Sequence, residues 1–253
     1  RQFNIRMSGS DYMGYHVSVL LRAPEIWKYH DKGPGALIHF VDAKGTWRNF
    51  VALDGRELYR FGINGKEYYD NPDAIDLEAH FRDVTGTDIP HEFLSVSPWT
   101  ARNVVADQYT FGRVHLAGDA AHLNHPAAGL GLNTGLGDAV GLGWKLAATL
   151  AGWGGPGLLQ NYETERRAIG IRNVGHANVS NDNARETAPG PHIAEDTPAG
   201  EAARQAMRER LREGQKRKVI TDGIALGYRY LSPLVCADGG PVPDDSVTTY
   251  TPS

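Results

Sequence analysis

The chain has 253 residues, of which 41% are apolar or aromatic and 22% charged, with a formal net charge of −4; this excludes a disordered or fibrous class and gives no general pull toward nucleic acid or anionic lipid. Cys236 is the single cysteine, which rules out an internal disulfide framework and a multi-cysteine metal centre and makes a reducing, cytoplasmic setting the expectation. With no run of about 18 apolar residues and no leader-like start, neither a membrane span nor a signal peptide is expected, and Arg1 at one end and Thr251-Pro252-Ser253 at the other read as cuts within a longer polypeptide.

From about Met13 to Val114 apolar and polar residues alternate between turn residues, the period of half-buried strands. Residues 36–41, 47–53 and 57–63, separated by Asp42-Ala43-Lys44-Gly45 and by Asp54-Gly55, predict a three-strand meander, because Asp-Gly tolerates positive φ at both turn positions. Along the middle strand Trp47, Asn49, Val51 and Leu53 share one face while Arg48, Phe50 and Ala52 share the other, so one face should cover a core. Trp47, Phe50 and Tyr59 are the candidates for an aromatic pocket, against the more ordinary role of filling that core. Asn71-Pro72-Asp73 signals the start of a short helix over 75–85. Strands are expected at 92–96 and 113–117.

The second half changes character. Residues 129–137 are glycine-rich, and a helix is expected over 134–150, with Leu136, Ala139, Val140, Gly143, Ala147 and Leu150 at helical spacing. Gly152, Gly154, Gly155 and Pro156 end it, and a second helix is expected over 158–178. Residues 187–200 read as a polar linker. Residues 202–218 read as a solvated helix, rich in arginine but interleaved with Glu209 and Glu213. The fold class that follows is α+β, a mixed or antiparallel sheet followed by helices.

The chemistry-bearing segment runs from Gly112 through Gly118-Asp119-Ala120-Ala121-His122, then Pro126, Gly129, Gly131 and Asn133. It reads as strand, tight turn, loop and helix start. Gly118-Asp119 puts a carboxylate at the end of a strand, where open α/β sheets place ligands, and Asp119 could accept hydrogen bonds from a polyol or simply cap the following turn. Gly129 and Gly131 leave the backbone approachable, and the helix that follows aims a partial positive charge at an electron-rich partner. His115, His122 and His125 beside Asp119 lack the helical His-Glu pairing or cysteines of a zinc site, so no metal is expected. Gly135, Gly137 and Gly141 lack the spacing of a dinucleotide fingerprint and point to close helix packing.

The run GDAAH, then Pro126, GLGLN, Asp138-Ala139 and Trp144-Lys145-Leu146-Ala147 closely resembles the second FAD motif of the para-hydroxybenzoate hydroxylase family of flavin monooxygenases. The likeness continues through Tyr162-Glu163 and Glu165-Arg166. The tail, at Gly227-Tyr228-Arg229-Tyr230 and Ser232-Pro233, is similar to a branch of that family acting on polyketides, phenols and indole-derived aromatics. The resemblance implies a substrate-binding sheet at 1–108, the second half of an FAD-binding domain at 109–185, and a linker, helix and tail at 186–253. It implies that Gly118 and Asp119 belong to the FAD site, with Asp119 holding a ribityl hydroxyl. Pro126 would lie against the isoalloxazine ring and the substrate pocket; His125 is a candidate for touching the substrate, against a role in packing the loop. Gly129 would belong to the same cofactor site, and the backbone of Gly131, Leu132 and Asn133 would meet the pyrimidine edge. In the implied reaction NAD(P)H reduces FAD, molecular oxygen adds to form a hydroperoxyflavin, and one oxygen passes to an electron-rich aromatic.

The family's opening GxGxxG loop and its later Asp-Gly motif are not in this sequence, so a preceding segment is expected to complete the FAD site. His125 stands where a second proline is common, and Ala168 where a proline often follows Glu-Arg. Epoxidation, oxidative decarboxylation and Baeyer-Villiger oxidation stay open as outcomes on the same fold, and so does a degenerate, non-catalytic module that holds an aromatic ligand.

Overall fold

The structure, a computed structural model, describes residues 3–29, 33, 35–43, 45–186, 189–236, 239–240 and 245–249; Arg1 and Thr251 to Ser253 lie outside them. Packing divides the chain into two units, residues 13–101 with 187–210, and residues 1–12 with 102–186 and 211–253. Both are assembled from separated stretches. The contiguous division expected at 108 and 185 therefore differs from the packing units, because two long strands and one helix run across the unit borders.

In the first of these units, strand β1 (Met7–Arg22, entering at Met13) is followed by β2 (Leu37–Asp42), β3 (Gly45–Ala52) and β4 (Leu58–Asn64). β2, β3 and β4 form the antiparallel meander that the alternation predicts, with Ile38 opposite Phe50 and Phe50 opposite Phe61. The β3–β4 connection is longer than a two-residue hairpin. Asp54 Oδ1 accepts the N–H groups of Arg56, Glu57 and Leu58 at 2.9, 3.0 and 2.9 Å, and Gly55 supplies the positive φ of 68° that the turn needs.

A short helix that the sequence did not announce, α1 (Lys66–Asp70), precedes α2 (Leu77–Thr85). Asn71-Pro72-Asp73 starts a single 3-10 turn. The true cap of α2 is Asp76, whose side chain accepts from the Ala79 N–H, and Gly86 in the left-handed region ends the helix. β5 (Glu92–Ala106) then runs far beyond the expected 92–96 and through Pro98, and the sheet order is β2-β3-β4-β1-β5.

α2 covers one face of this sheet. Val17, Val19 and Leu21 of β1, Phe50 of β3, Tyr59, Phe61 and Ile63 of β4 and Phe81 of α2 form one buried cluster. The Phe81 ring lies 6.0 Å from Phe50 and 6.3 Å from Phe61. Burying each such side chain stabilises by about 1.5–3 kcal/mol. Phe50 and Tyr59 are therefore core residues in this structure, Phe50 beneath Phe81 of α2 and Tyr59 against Trp27, whose ring lies 5.4 Å away. The side chain of Trp47 lies outside the described residues.

In the other unit, β6 (Thr110–Phe111) pairs with β7 (Val114–His115), and the end of β5 pairs with β8 (His122–Leu123). The helices are α3 (Gly131–Leu150), α4 (Asn161–Glu186), the later part of α5 (Pro198–Val219) and α6 (Asp222–Ala225). Val105, Ala106, Tyr109, Ala121, Tyr162 and Val174 make its core.

α3 buries the opposite stripe from the one its composition suggests. Thr134, Asp138, Gly141, Lys145 and Ala148 face inward, while Leu132, Leu136, Val140 and Trp144 are exposed. Among the described residues, no helix is long and apolar enough to cross a membrane.

Candidate functional site

The 113–117 stretch forms only a two-residue ladder at Val114–His115 before the chain turns. Leu116 is held from both sides: its N–H donates to the Tyr109 carbonyl at 2.8 Å, and its carbonyl accepts the Tyr162 hydroxyl at 2.7 Å. Gly118 opens the next 3-10 turn, Gly118–Ala120, with φ of 57°. This left-handed conformation strains any residue with a Cβ. A Cβ on Gly135 of α3 would also come within 3.3 Å of the Gly118 Cα, so two glycines let turn and helix touch. Asp119 is exposed on this turn, and no hydrogen-bond or ion-pair partner of its carboxylate occurs among the described residues.

The chain reaches α3 through a pinned loop. Ala106 N–H donates to the Ala121 carbonyl at 2.7 Å, and the His125 backbone N–H donates to the Asn103 side chain. Pro126–Ala128 make a 3-10 turn and Gly129 has φ of 65°. α3 begins at Gly131 rather than Thr134, so Gly131, Leu132 and Asn133 form its first turn. Its N-cap position, Leu130, supplies no side-chain cap. Uncapped first-turn N–H groups are a site for an electron-rich partner. Gly118, Asp119, Pro126, Gly129, Gly131, Leu132 and Asn133 thus all lie along one turn-loop-helix segment of one unit. His125 joins it with a half-buried side chain.

Beneath this segment lies a buried polar network that the sequence reading missed. Asp138 Oδ2 accepts the Gly118 N–H at 3.0 Å and lies 2.7 Å from His122 Nε2, while its Oδ1 accepts Arg166 Nε at 2.8 Å. Arg166 also donates to the Thr134 carbonyl and to the Tyr230 hydroxyl, each at 3.0 Å. Lys145 pairs with Glu165 at 2.8 Å, and Glu165 accepts the Ser232 hydroxyl at 2.7 Å. His122 is fully buried, with Nδ1 3.1 Å from Asn124 Oδ1. Gly137 and Gly141 make room for Arg166, whose guanidinium and aliphatic stem would meet a Cβ there at 2.6 and 3.3 Å. The signal for this network was present: charged residues at 138 and 145 recur with a helical period on one stripe of α3, where a solvated helix would have no reason to align them with Gly141 and Ala148.

Burial alone would push the Asp138 carboxyl up, but the His122 and Arg166 hydrogen bonds and the Gly118 N–H hold it below its ordinary 3.8. A depressed folded-state value contributes stability above pH 3.8 that is lost as pH falls through the folded value. Acid titration followed by circular dichroism should therefore show the wild type losing more stability between about pH 5 and pH 2 than Asp138→Asn does. Equal losses would remove Asp138 from the acid transition.

The sheet unit carries a second polar surface, on the face that α2 leaves uncovered. His16 Nδ1 lies 2.7 Å from Asn64 Oδ1, and the His16 ring stacks on Trp99 at 4.5 Å, whose indole N–H donates to Ser18 Oγ at 2.9 Å. Arg60 donates to Asn49 Oδ1 at 3.3 Å, and burial lowers its pKa. Its Nε and His16 Nε2 are buried with no hydrogen-bond partner among the described residues. At the centre, Gly62 has no side chain where a Cβ would meet the Asn49 amide at 2.6 Å. Asn49 was placed on this strand face from sequence, but none of these residues was given a role, since strand alternation does not say which face a helix will cover.

Residues 1–177 match the family model described as FAD binding domain. Over 234 residues the chain is 38% identical to a protein provisionally named polyketide hydroxylase from Streptomyces halstedii, covering 90% of this chain and 39% of that protein. The solved structure of the rebeccamycin biosynthetic enzyme RebC with reduced flavin is 36% identical, with a TM-score of 0.82 over 96% of this chain and 46% of that one. The flavin-dependent monooxygenase PieE, solved in complex with FAD and substrate, is 27% identical, with a TM-score of 0.81 over 99% of this chain and 47% of that one. The chain spans less than half the length of these three proteins.

Proposed function

The chain belongs to the FAD binding domain family, and on that premise we propose that the protein is an FAD-dependent, NAD(P)H-consuming monooxygenase that hydroxylates an electron-rich aromatic of phenol, polyketide or indole-derived type. The observation that carries this reading is the exposed Asp119 carboxylate on the Gly118 turn, on the same segment as the uncapped first turn of α3. These residues fit FAD. Asp119 would accept from a ribityl hydroxyl, and the first-turn N–H groups of Gly131, Leu132 and Asn133 would meet the pyrimidine edge, where reduced flavin gathers negative charge. Open space where Gly129 and Gly131 would carry a Cβ lets the backbone approach a flat ring. Bound FAD would supply the redox chemistry, taking a hydride from NAD(P)H and activating molecular oxygen as a hydroperoxyflavin. Pro126 and His125 would border the reacting edge.

The exposed stripe of Leu132, Leu136, Val140 and Trp144 is larger than scattered surface apolar residues require.

For the aromatic substrate the uncovered face of the sheet is the better candidate than Phe50 or Tyr59. Arg60 is a half-buried cation, and no ion pair of it with a carboxylate occurs among the described residues. A phenolate, enolate or carboxylate oxygen on the substrate would satisfy it. Arg60→Leu is expected to raise KM about tenfold with a smaller change in kcat, since it removes binding common to ground and transition states. An unchanged KM would remove Arg60 from the substrate site.

The reading is tested by adding polycyclic phenols to the protein as its gene encodes it, supplied with FAD and NAD(P)H. Faster NAD(P)H oxidation together with a product heavier by one oxygen supports hydroxylation. If no aromatic gave either result while an aliphatic ketone gave an ester, Baeyer-Villiger oxidation would replace it.

A further inference from the structure

We infer that Asp138, which holds the Gly118 N–H from beneath the turn, is a positioning residue for the flavin: its single carboxylate fixes the Asp119 turn against the amino end of α3. This rests on the reading of Asp119 and the first turn of α3 as the two flavin contacts. Those contacts come from different elements, so their separation is set by whatever joins the elements. Asp138 joins them. It lies seven residues after Gly131 on the same helix, two turns along a rigid rod, and one of its oxygens takes the N–H of Gly118, the residue before Asp119, at 3.0 Å.

The same oxygen lies 2.7 Å from His122, which anchors the far side of the loop, and the other oxygen is held at 2.8 Å by Arg166 of α4. With both oxygens engaged the carboxylate cannot rotate without losing a bond to a buried donor. Close packing of Gly135 on Gly118, at 3.3 Å for a Cβ on Gly135, adds a steric stop in the same place.

An apolar contact between turn and helix would be cheaper, because a buried charge must be fully paired to be tolerated. What the paired carboxylate adds is register. Directed hydrogen bonds fix the turn at one position along α3, whereas apolar side chains slide. A shift of the turn along the helix would move the ribityl anchor relative to the dipole at the helix end, and with it the stabilisation of negative charge on reduced flavin.

The test uses Asp138→Asn, which keeps size but cannot accept from all three donors, and His122→Gln, which leaves the Asp138–Arg166 pair intact should the first variant fold poorly. In the protein as its gene encodes it, FAD affinity is measured by fluorescence titration, and the bound flavin's midpoint potential by dye-coupled reduction, well below the unfolding temperature. Asp119→Ala is run alongside. The expected result is a dissociation constant for FAD raised roughly tenfold and a midpoint potential shifted to more negative values in the positioning variants, with far-ultraviolet circular dichroism unchanged. A role in stability alone would lower the unfolding temperature and leave the potential of the bound flavin where it was; that result, with Asp119→Ala losing FAD, overturns the inference and leaves the flavin site standing. Retention of FAD by Asp119→Ala overturns both.

Discussion

Arg166→Leu is expected to lower the unfolding free energy by about 3–5 kcal/mol, the cost of breaking one side of a buried ion pair. Arg166 is 1% exposed and Asp138 fully buried, so the carboxylate left behind cannot recover its hydration. Three further acceptors or ring faces lose their partner with it: the Thr134 carbonyl, the Tyr230 hydroxyl and the Tyr228 ring, which lies 5.6 Å from the guanidinium. Leucine also cannot fill the groove over Gly137 and Gly141 that a flat, extended side chain occupies. For a chain of this length the loss corresponds to a fall in melting temperature on the order of 10 °C. Arg166→Lys should recover little, because an ammonium lacks the fork that reaches Asp138, Thr134 and Tyr230 together. Urea unfolding is the direct measurement, and a loss below about 1 kcal/mol in the leucine variant would mean that the network relaxes around the missing cation.

Asp119→Ala should do the reverse: it should spare the fold and empty the cofactor site. The side chain is exposed, and removing it uncovers no core. A charge-assisted hydrogen bond to a ribityl hydroxyl contributes about 1.5–3 kcal/mol, which is a ten- to hundredfold loss of FAD affinity. Flavin absorbance after exhaustive dialysis reads this directly, with Asp119→Asn expected in between because it keeps an acceptor and loses the charge. Unchanged flavin content in the alanine variant, at an unchanged melting temperature, would move the ribityl contact elsewhere. A protein that is colourless before any substitution would instead favour the non-catalytic aromatic-binding module.

The two outcomes differ because one residue is buried among partners and the other faces outward, and that difference also marks what could be read from sequence. The meander was legible because its information is local: alternation with period two, and turn residues such as Asp54-Gly55 whose chemistry acts within a few positions. The Gly118 to Asn133 segment was legible through its resemblance and through the physics of glycines before a helix. Helix α3 still started three residues early, since Gly131 is a poor helix former that the packing of the turn tolerates. β5 runs on past the expected 92–96 through Pro98, where an exposed proline is tolerated because its missing N–H is not needed.

What local pattern could not give was the choice between faces. Phe50 and Tyr59 alternate correctly, but only the docking of α2, through Phe81 and Val84, makes their face the core and leaves Asn49, Arg60 and His16 on the other. Asp138 and Arg166 are 28 residues apart, and the charged stripe of α3 marks Asp138 as inward-facing without naming its partner.

Oxygen incorporation tests the central claim most directly. The protein as its gene encodes it is incubated with FAD, NAD(P)H and a substrate that accelerates NAD(P)H oxidation, under ¹⁸O₂ in ordinary water, and the product is analysed by mass spectrometry. An FAD-dependent monooxygenase of aromatics should place one ¹⁸O atom on an aromatic carbon for each substrate consumed. A product that carries oxygen from water, or an unaltered substrate alongside NAD(P)H consumption that never depends on it, would contradict the account.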